Sequence, residues 1–408
     1  MRKFILAAVA ACFSLAANAQ QALWSGETVV SPDIHPDNTV TFRFKAPKAV
    51  TVQVTGDFLP ATLVDVPGRD MKMEAPGVAN LKEGKDGVWE YTTEKPLDPE
   101  LYSYSFIVDG LKVMDPANVY MNRDVASVTN IFIVSKNKGD KGDIYSVNDV
   151  PHGTVSRTWY NSPSLNMNRR LTVYTPAGYE TSKQKYPVFY LLHGAGGDEE
   201  AWIALGRTAQ ILDNLIATGK AEPMIVVMTN GNAWQDAAAG ESPRGMVPPT
   251  MGGAGTQNVK PAAFELSFPE IVSFIEKTYR VKADKKNRAI AGLSMGSFHS
   301  ENISKYYPDM FNYVGLFSGA MVGDGGMGNQ SSPVYSNFDS QMATQFAKKP
   351  ALYYIACGKT DFVKQGVDQL RAYLTEHNYP FEYKETDGGH IWRNWRIYLS
   401  DYAPKLFK

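Results

Sequence analysis

The stretch that constrains this chain most is Ala289-Ile290-Ala291-Gly292-Leu293-Ser294-Met295-Gly296, a short apolar run ending in Gly-x-Ser-x-Gly. A helical pattern follows from Asn302. Strand, sharp turn and helix in that order are the context of a nucleophile elbow. The turn strains the serine backbone and lifts its hydroxyl above a sheet. Glycines on either side let neighbouring backbone pass where a Cβ would collide. Such a turn needs a buried parallel sheet beneath it, and the flanking sequence supplies the strands.

Leu171–Thr175 reads as a strand, followed by a Pro176-Ala177-Gly178 turn. Tyr186–Leu192 and Met224–Met228 are continuous apolar runs, as strands buried on both faces are. Phe264–Tyr279 carries apolar residues at helical spacing. After the elbow come strands at Tyr313–Phe317 and Ala351–Ala356, a helix ending near Glu376, a strand at Phe381–Glu385, and a Trp- and Tyr-rich final helix. Asp198 is placed to cap a helix after the Tyr186–Leu192 strand, with Glu199 and Glu200 favourable at its N-terminus. Strands alternating with helices predict an α/β class chain with the α/β-hydrolase fold over residues 151–408.

The preceding part has a different period. Thr39–Phe44, Val50–Val54 and Tyr102–Val108 alternate polar and apolar residues, and Pro36-Asp37-Asn38, Asp86-Gly87 and Asp109-Gly110 supply turns. This predicts an N-terminal β-sandwich over residues 20–138. Residues 139–150, rich in Lys, Gly and Asp, read as a linker. Residues 1–19 read as a signal peptide: Arg2-Lys3, the apolar run Phe4–Ala11, and Ala17-Asn18-Ala19 as the cleavage site. Val9-Ala10-Ala11-Cys12 loosely matches a lipoprotein cleavage box, but it comes early and the apolar run continues past it. Plain export, periplasmic or extracellular, is the preferred reading, and no other run is long enough to span a bilayer. Cys357 is then the one cysteine left, so no disulfide is expected. With 41 basic and 42 acidic side chains, the charge is no footprint for nucleic acid or an anionic membrane.

A serine hydroxyl is a weak nucleophile; it needs a base, and the base needs an orienting carboxylate. On this fold they follow in the order Ser, Asp or Glu, His. Of the six histidines, His35, His152 and His193 precede Ser294, and His299 lies just past the elbow on its helix. His377 sits at the end of an amphipathic helix, where a histidine serves the dipole. His390, in the loop after Phe381–Glu385, is the predicted base. Asp361 follows the Ala351–Ala356 strand and is the predicted carboxylate. Asp368 reads as helix surface, and Asp387 is too near His390 in sequence. Backbone N–H groups must hold the oxyanion. Met295, directly after the nucleophile, offers one. The loop His193-Gly194-Ala195-Gly196-Gly197 offers the other, from Ala195 or failing that Gly194. His193 itself is read as holding that loop by local hydrogen bonds.

His193–Gly197, Gly292–Gly296, Asp361 and Gly388-Gly389-His390 together resemble the esterase D-like hydrolases, and within them carbohydrate esterase family 1. The resemblance covers residues 150–408. It implies a Ser294–His390–Asp361 triad, no metal or organic cofactor, and a feruloyl, p-coumaroyl or acetyl ester on arabinoxylan as substrate. The N-terminal part resembles early-set immunoglobulin-like modules of the family 48 carbohydrate-binding type, through Gly87-Val88-Trp89-Glu90-Tyr91, Tyr102-Ser103-Tyr104 and Val108-Asp109-Gly110. Trp89, Tyr91, Tyr102 and Tyr104 either stack on sugar or fill the sandwich core. Trp234 to Ala263 and Met321 to Ala347 are long loops, and loops of that length usually cover or line sites. Trp234, Met246 and Met251 offer apolar surface to a cinnamoyl ring. Trp202 and Trp392 line the same pocket or belong to the core. Feruloyl esterase is the preferred reading, with acetylxylan esterase second. An enterobactin-type siderophore esterase, a mycolyltransferase-like acyltransferase and a noncatalytic carbohydrate-binding scaffold are the alternatives.

Overall fold

The structure is a computed structural model that describes residues 29–65, 72–245, 259–325 and 331–408. The expected leader with Cys12, and the loop residues Met246 and Met251, lie outside the described residues.

Among the described residues, eight strands form the sheet of the second part: β1 (Thr154–Ser162), β2 (Met167–Thr175), β3 (Val188–Leu192), β4 (Ile225–Thr229), β5 (Arg288–Leu293), β6 (Tyr313–Phe317), β7 (Leu352–Gly358) and β8 (Glu382–Thr386). Their order is β1-β2-β4-β3-β5-β6-β7-β8. The β1–β2 and β2–β4 pairs are antiparallel and the rest are parallel. This is the α/β-hydrolase fold. Among the described residues, the helices of two or more turns that cover it are α1 (Thr208–Ala217), α2 (Ala263–Thr278), α3 (Met295–Tyr306), α4 (Phe338–Ala347), α5 (Lys364–Glu376) and α6 (Trp392–Tyr402).

Strand β3 shows why its sequence is continuously apolar. Val188, Tyr190 and Leu192 join one core with Phe268 and Ile271 of α2 and Leu370 of α5. Phe189 and Leu191 join the other with Ile211 and Leu215 of α1 and Tyr398 and Leu399 of α6. Each such side chain, fully buried, contributes about 1.5–3 kcal/mol. Strand β1 and the first four residues of β2 have no counterpart in the sequence reading. β1 is an edge strand whose Arg157, Trp159 and Asn161 face solvent, so it lacks the apolar signal of its neighbours.

The N-terminal part folds as two antiparallel sheets. One has the order Asp33–Ile34, Val40–Lys45, Val88–Thr92, Lys82–Glu83. The other runs Met121–Asp124, Ser127–Val134, Glu100–Val108, Val52–Gly56, Gly77–Asn80, with Leu111–Val113 also paired to Glu100–Val108. Asp109 (φ 48°) and Gly110 (φ 84°) form the two-residue hairpin turn before Leu111, a backbone Asp-Gly readily adopts. Trp89, Tyr102 and Tyr104 are buried in the core with Phe42, Phe106 and Phe132, and Tyr91 packs against it half-buried. These aromatics fill the sandwich. A separate ribbon, Thr62–Asp65 paired with Lys72–Ala75, projects from it.

Residues 139–150 are more than a linker. They hold a one-turn helix, Lys141–Tyr145, capped by the Asp140 carboxylate, which accepts from Asp143 N–H. Tyr145 is fully buried, and its carbonyl accepts from Arg207 Nε at 2.9 Å. The Lys-Gly-Asp composition reflects capping and tight turns, not freedom. Across the same seam Arg396, 2% exposed, donates to Leu205 O, to Leu101 O and to Glu100 Oε1. The two parts are thereby joined through buried polar groups.

Candidate active site

Ser294 stands between the end of β5 and the start of α3 with φ 52° and ψ −117°, a conformation an L-residue adopts only under strain. Its own N–H donates to Phe317 O at 2.9 Å, anchoring the turn to β6. A Cβ on Gly292 would come within 2.4 Å of the Gly296 carbonyl, and one on Gly296 within 2.5 Å of the Leu192 and His193 carbonyl oxygens. Only glycine fits at either place. The Met295 N–H opens α3, where first-turn amides have no acceptor within the helix.

Asp361 follows β7 and His390 follows β8, so both stand with Ser294 on the C-terminal edge of the parallel strands. His390 Nδ1–H donates to Asp361 Oδ1 at 2.9 Å and lies 3.1 Å from Oδ2. Asp361 also accepts from Val363 N–H at 3.1 Å and is buried. This fixes the histidine tautomer: Nε2 is the nitrogen left to accept a proton. The two loops are tied together, with Thr360 N–H donating to Gly388 O and the buried Asn394 amide donating to Gly389 O. The His390 ring packs edge-on against Trp395, and Phe362 lies 4.4 Å away, ring centre to ring centre.

The loop after β3 passes beside the elbow. A Cβ on Gly194 would lie 3.2 Å from Ser294 Cβ. Ala195 is exposed at the turn closed by Gly197 N–H on Gly194 O. His193 Nδ1–H donates to Gly194 O at 2.7 Å, while Nε2 accepts from Gly231 N–H at 2.8 Å. Burial pushes this imidazole down to about 4, so it is neutral and holds the loop as the sequence suggests. Asn232 Nδ2 donates to Gly197 O from the other side. His299, the other histidine near the elbow, is engaged elsewhere: Nδ1 donates to Glu265 Oε1 at 2.8 Å, which also accepts from Tyr335 OH.

Three expectations need correction. Met321 to Ala347 is not one loop, because its last ten residues form the helix Phe338–Ala347. Asp198 does not cap the helix that follows: Glu200 stands at the N-terminus of the one turn Ala201–Ala204, and no side chain caps it. The Asp198 carboxylate instead accepts from Glu200 N–H and pairs with Arg123 Nη2 at 2.5 Å. Glu199 is buried, which raises its carboxyl, and it pairs with Arg170 Nε at 2.7 Å. Trp202 offers no surface to a ligand. It is 1% exposed, donates from Nε1 to Leu192 O at 2.8 Å, and packs against Phe317 and Trp392. Trp392 is partly exposed and lies between Trp202 and Trp395. Trp234 is half-buried, its carbonyl accepting from Arg244.

The sequence does not show which residues of the N-terminal half reach this site. Arg123 lies in the strand Met121–Asp124, and Glu74, on the projecting ribbon, accepts from Thr360 Oγ1 at 3.0 Å. Pairs 75 and 286 residues apart leave no local pattern. Phe362 could have been noticed as an aromatic beside the predicted carboxylate.

Comparison with known proteins finds esterases. The Esterase family model matches residues 162–406. An endo-1,4-beta-xylanase/feruloyl esterase of Xylanibacter ruminicola is 30% identical over 387 residues, covering 92% of this chain and 46% of that protein. The chain thus spans about half the length of that relative. A solved ferulic acid esterase is 27% identical with a TM-score of 0.51, over 62% of this chain and 97% of its own. The enterobactin esterase of Shigella flexneri is 16% identical with a TM-score of 0.59, over 90% of this chain and 93% of its own, a likeness of fold.

Proposed function

The chain belongs to the Esterase family and is a carboxylic ester hydrolase, and from that premise we propose that it is an exported serine esterase releasing hydroxycinnamic acids, ferulate foremost, from arabinoxylan. One observation carries the reading: the strained Ser294 elbow shares a sheet edge with a His390 whose tautomer Asp361 fixes at 2.9 Å. The aromatic acid is favoured over acetate by the relative and the solved structure, both of which are feruloyl esterases by name.

In the proposed mechanism His390 Nε2 takes the Ser294 proton as Oγ attacks the ester carbonyl. The tetrahedral oxyanion accepts from the N–H groups of Met295 and Ala195. Asp361 stabilises the imidazolium. The carbon–oxygen bond to the sugar then breaks, and the leaving oxygen takes the proton from His390. Water, deprotonated by the same imidazole, attacks the acyl-enzyme, and ferulate departs as Ser294 regains its proton. None of these steps calls on a cofactor.

The test is release of acid from wheat arabinoxylan and from acetylated xylan side by side, with methyl ferulate as the small ester. Ferulate release is the expected result. Acetate release alone would overturn the aromatic reading and keep the ester hydrolase. Release of neither would direct attention to a catechol trilactone or to acyl transfer.

A further inference from the structure

A hydrolase of this design divides its substrate at the serine. The leaving alcohol takes its proton from the general base, so the alcohol portion, here the sugar, lies on the His390 side of the scissile bond. What surrounds His390 therefore meets the sugar and not the cinnamoyl group.

Three exposed side chains bear on this, one on the loop of Asp361 and two on the ribbon that touches that loop. Phe362 is 51% exposed although its ring lies 4.4 Å from the His390 ring, tilted by 45°. A large apolar side chain directly beside a reacting group and half in water is placed to be covered by something else. Glu74 comes from the N-terminal ribbon. Its Oε1 accepts from Thr360 Oγ1 at 3.0 Å, and its Oε2 lies 3.7 Å from where a Cβ on Gly389 would stand. The carboxylate thus sits between the loops of Asp361 and His390. Leu63 is directly opposite Glu74 in the ribbon, so the two share a face, and Leu63 is 66% exposed. The N-terminal half is tied to α6 by Arg393 Nη2, which donates to Asp57 O at 2.9 Å.

We propose that Phe362, Glu74 and Leu63 form the subsite for the pentose that carries the ester, with the N-terminal half supplying two of its three contacts. The inference rests on the sugar-ester reading above. A sugar ring has an apolar face of C–H groups and an edge of hydroxyls. Phe362 and Leu63 suit the face, and Glu74 Oε2 accepts from a hydroxyl. The N-terminal half then acts on carbohydrate at the cleft, through its ribbon, while its aromatic residues remain in the sandwich core.

The experiment uses the full chain with two substrates, methyl ferulate and feruloylated arabinoxylotriose, and reads the ratio of kcat/KM for the oligosaccharide to that for the methyl ester. Phe362→Ala and Glu74→Ala should each lower the ratio by about tenfold, and Phe362→Tyr should keep it near that of the wild type. Because the ratio is internal to each variant, general damage to Asp361 or His390 cancels. A ratio unchanged in both alanine variants overturns the subsite while leaving the esterase reading intact. Wild-type protein that cleaves neither ester overturns the esterase reading and the subsite with it.

Discussion

Arg123 of the N-terminal half and Asp198 of the loop carrying Ala195 form an ion pair at 2.5 Å, with the Asp198 side chain only 3% exposed. The loop proposed to hold the oxyanion is thus braced from a separate sheet, as well as by His193 from within.

Removing that brace leaves a buried carboxylate without its cation, at a cost of about 1–3 kcal/mol given that Arg123 itself is partly exposed. Arg123→Ala is therefore expected to melt at a lower temperature. If the loop shifts, kcat falls by about ten- to a hundredfold with KM less affected. Thermal melts and steady-state kinetics check both. A lowered melting temperature with full kcat would reduce the pair to a stability role.

How much of this was legible depended on the range of the interactions involved. Ser294, Asp361 and His390 could be singled out because chain order and strand ends restrict the choice on this fold. The buried strands announced themselves because both of their faces are covered. The edge strand Thr154–Ser162 did not, since its outer residues are polar. Trp202 could be read as pocket or core, because a tryptophan in a short helix looks the same in either; its burial follows from Phe317 and Trp392, far along the chain. Asp198-Glu199-Glu200 looked like a helix start because local capping needs the same residues as long-range pairing with Arg123 and Arg170.

His193 gives a pH dependence with a definite sign. Its ordinary value is 6.5, and burial lowers it to about 4 in the folded chain. Below pH 6.5 the unfolded chain binds a proton that the folded chain refuses. Stability is complete above 6.5 and is lost as pH falls towards 4, at most about 1.4 kcal/mol per pH unit. His193→Gln cannot titrate. The stability advantage of wild type over this variant, from denaturant midpoints at pH 7 and pH 4.5, should shrink at the lower pH. A constant advantage would contradict the neutral ring.

Asp361→Asn should leave the fold largely intact and lower kcat by about 10³–10⁴, because an amide facing Nδ1 no longer fixes the tautomer or stabilises the imidazolium. Melting temperature and kcat on methyl ferulate measure the two effects separately. A loss below tenfold would remove Asp361 from the mechanism.

Gly296→Ala tests the elbow itself. The added methyl meets two backbone carbonyl oxygens at 2.5 Å, neither able to swing aside as a flexible side chain could. A destabilisation of about 1–3 kcal/mol or more is expected, read from chemical denaturation. An unperturbed midpoint would mean that β3 and α3 pack less closely than described.

The most direct measurement is ferulate released from wheat arabinoxylan by the wild-type chain and by Ser294→Ala. The account predicts release by the wild type and a loss of several orders of magnitude in the variant. Comparable release by both proteins, or none from the wild type, would contradict it.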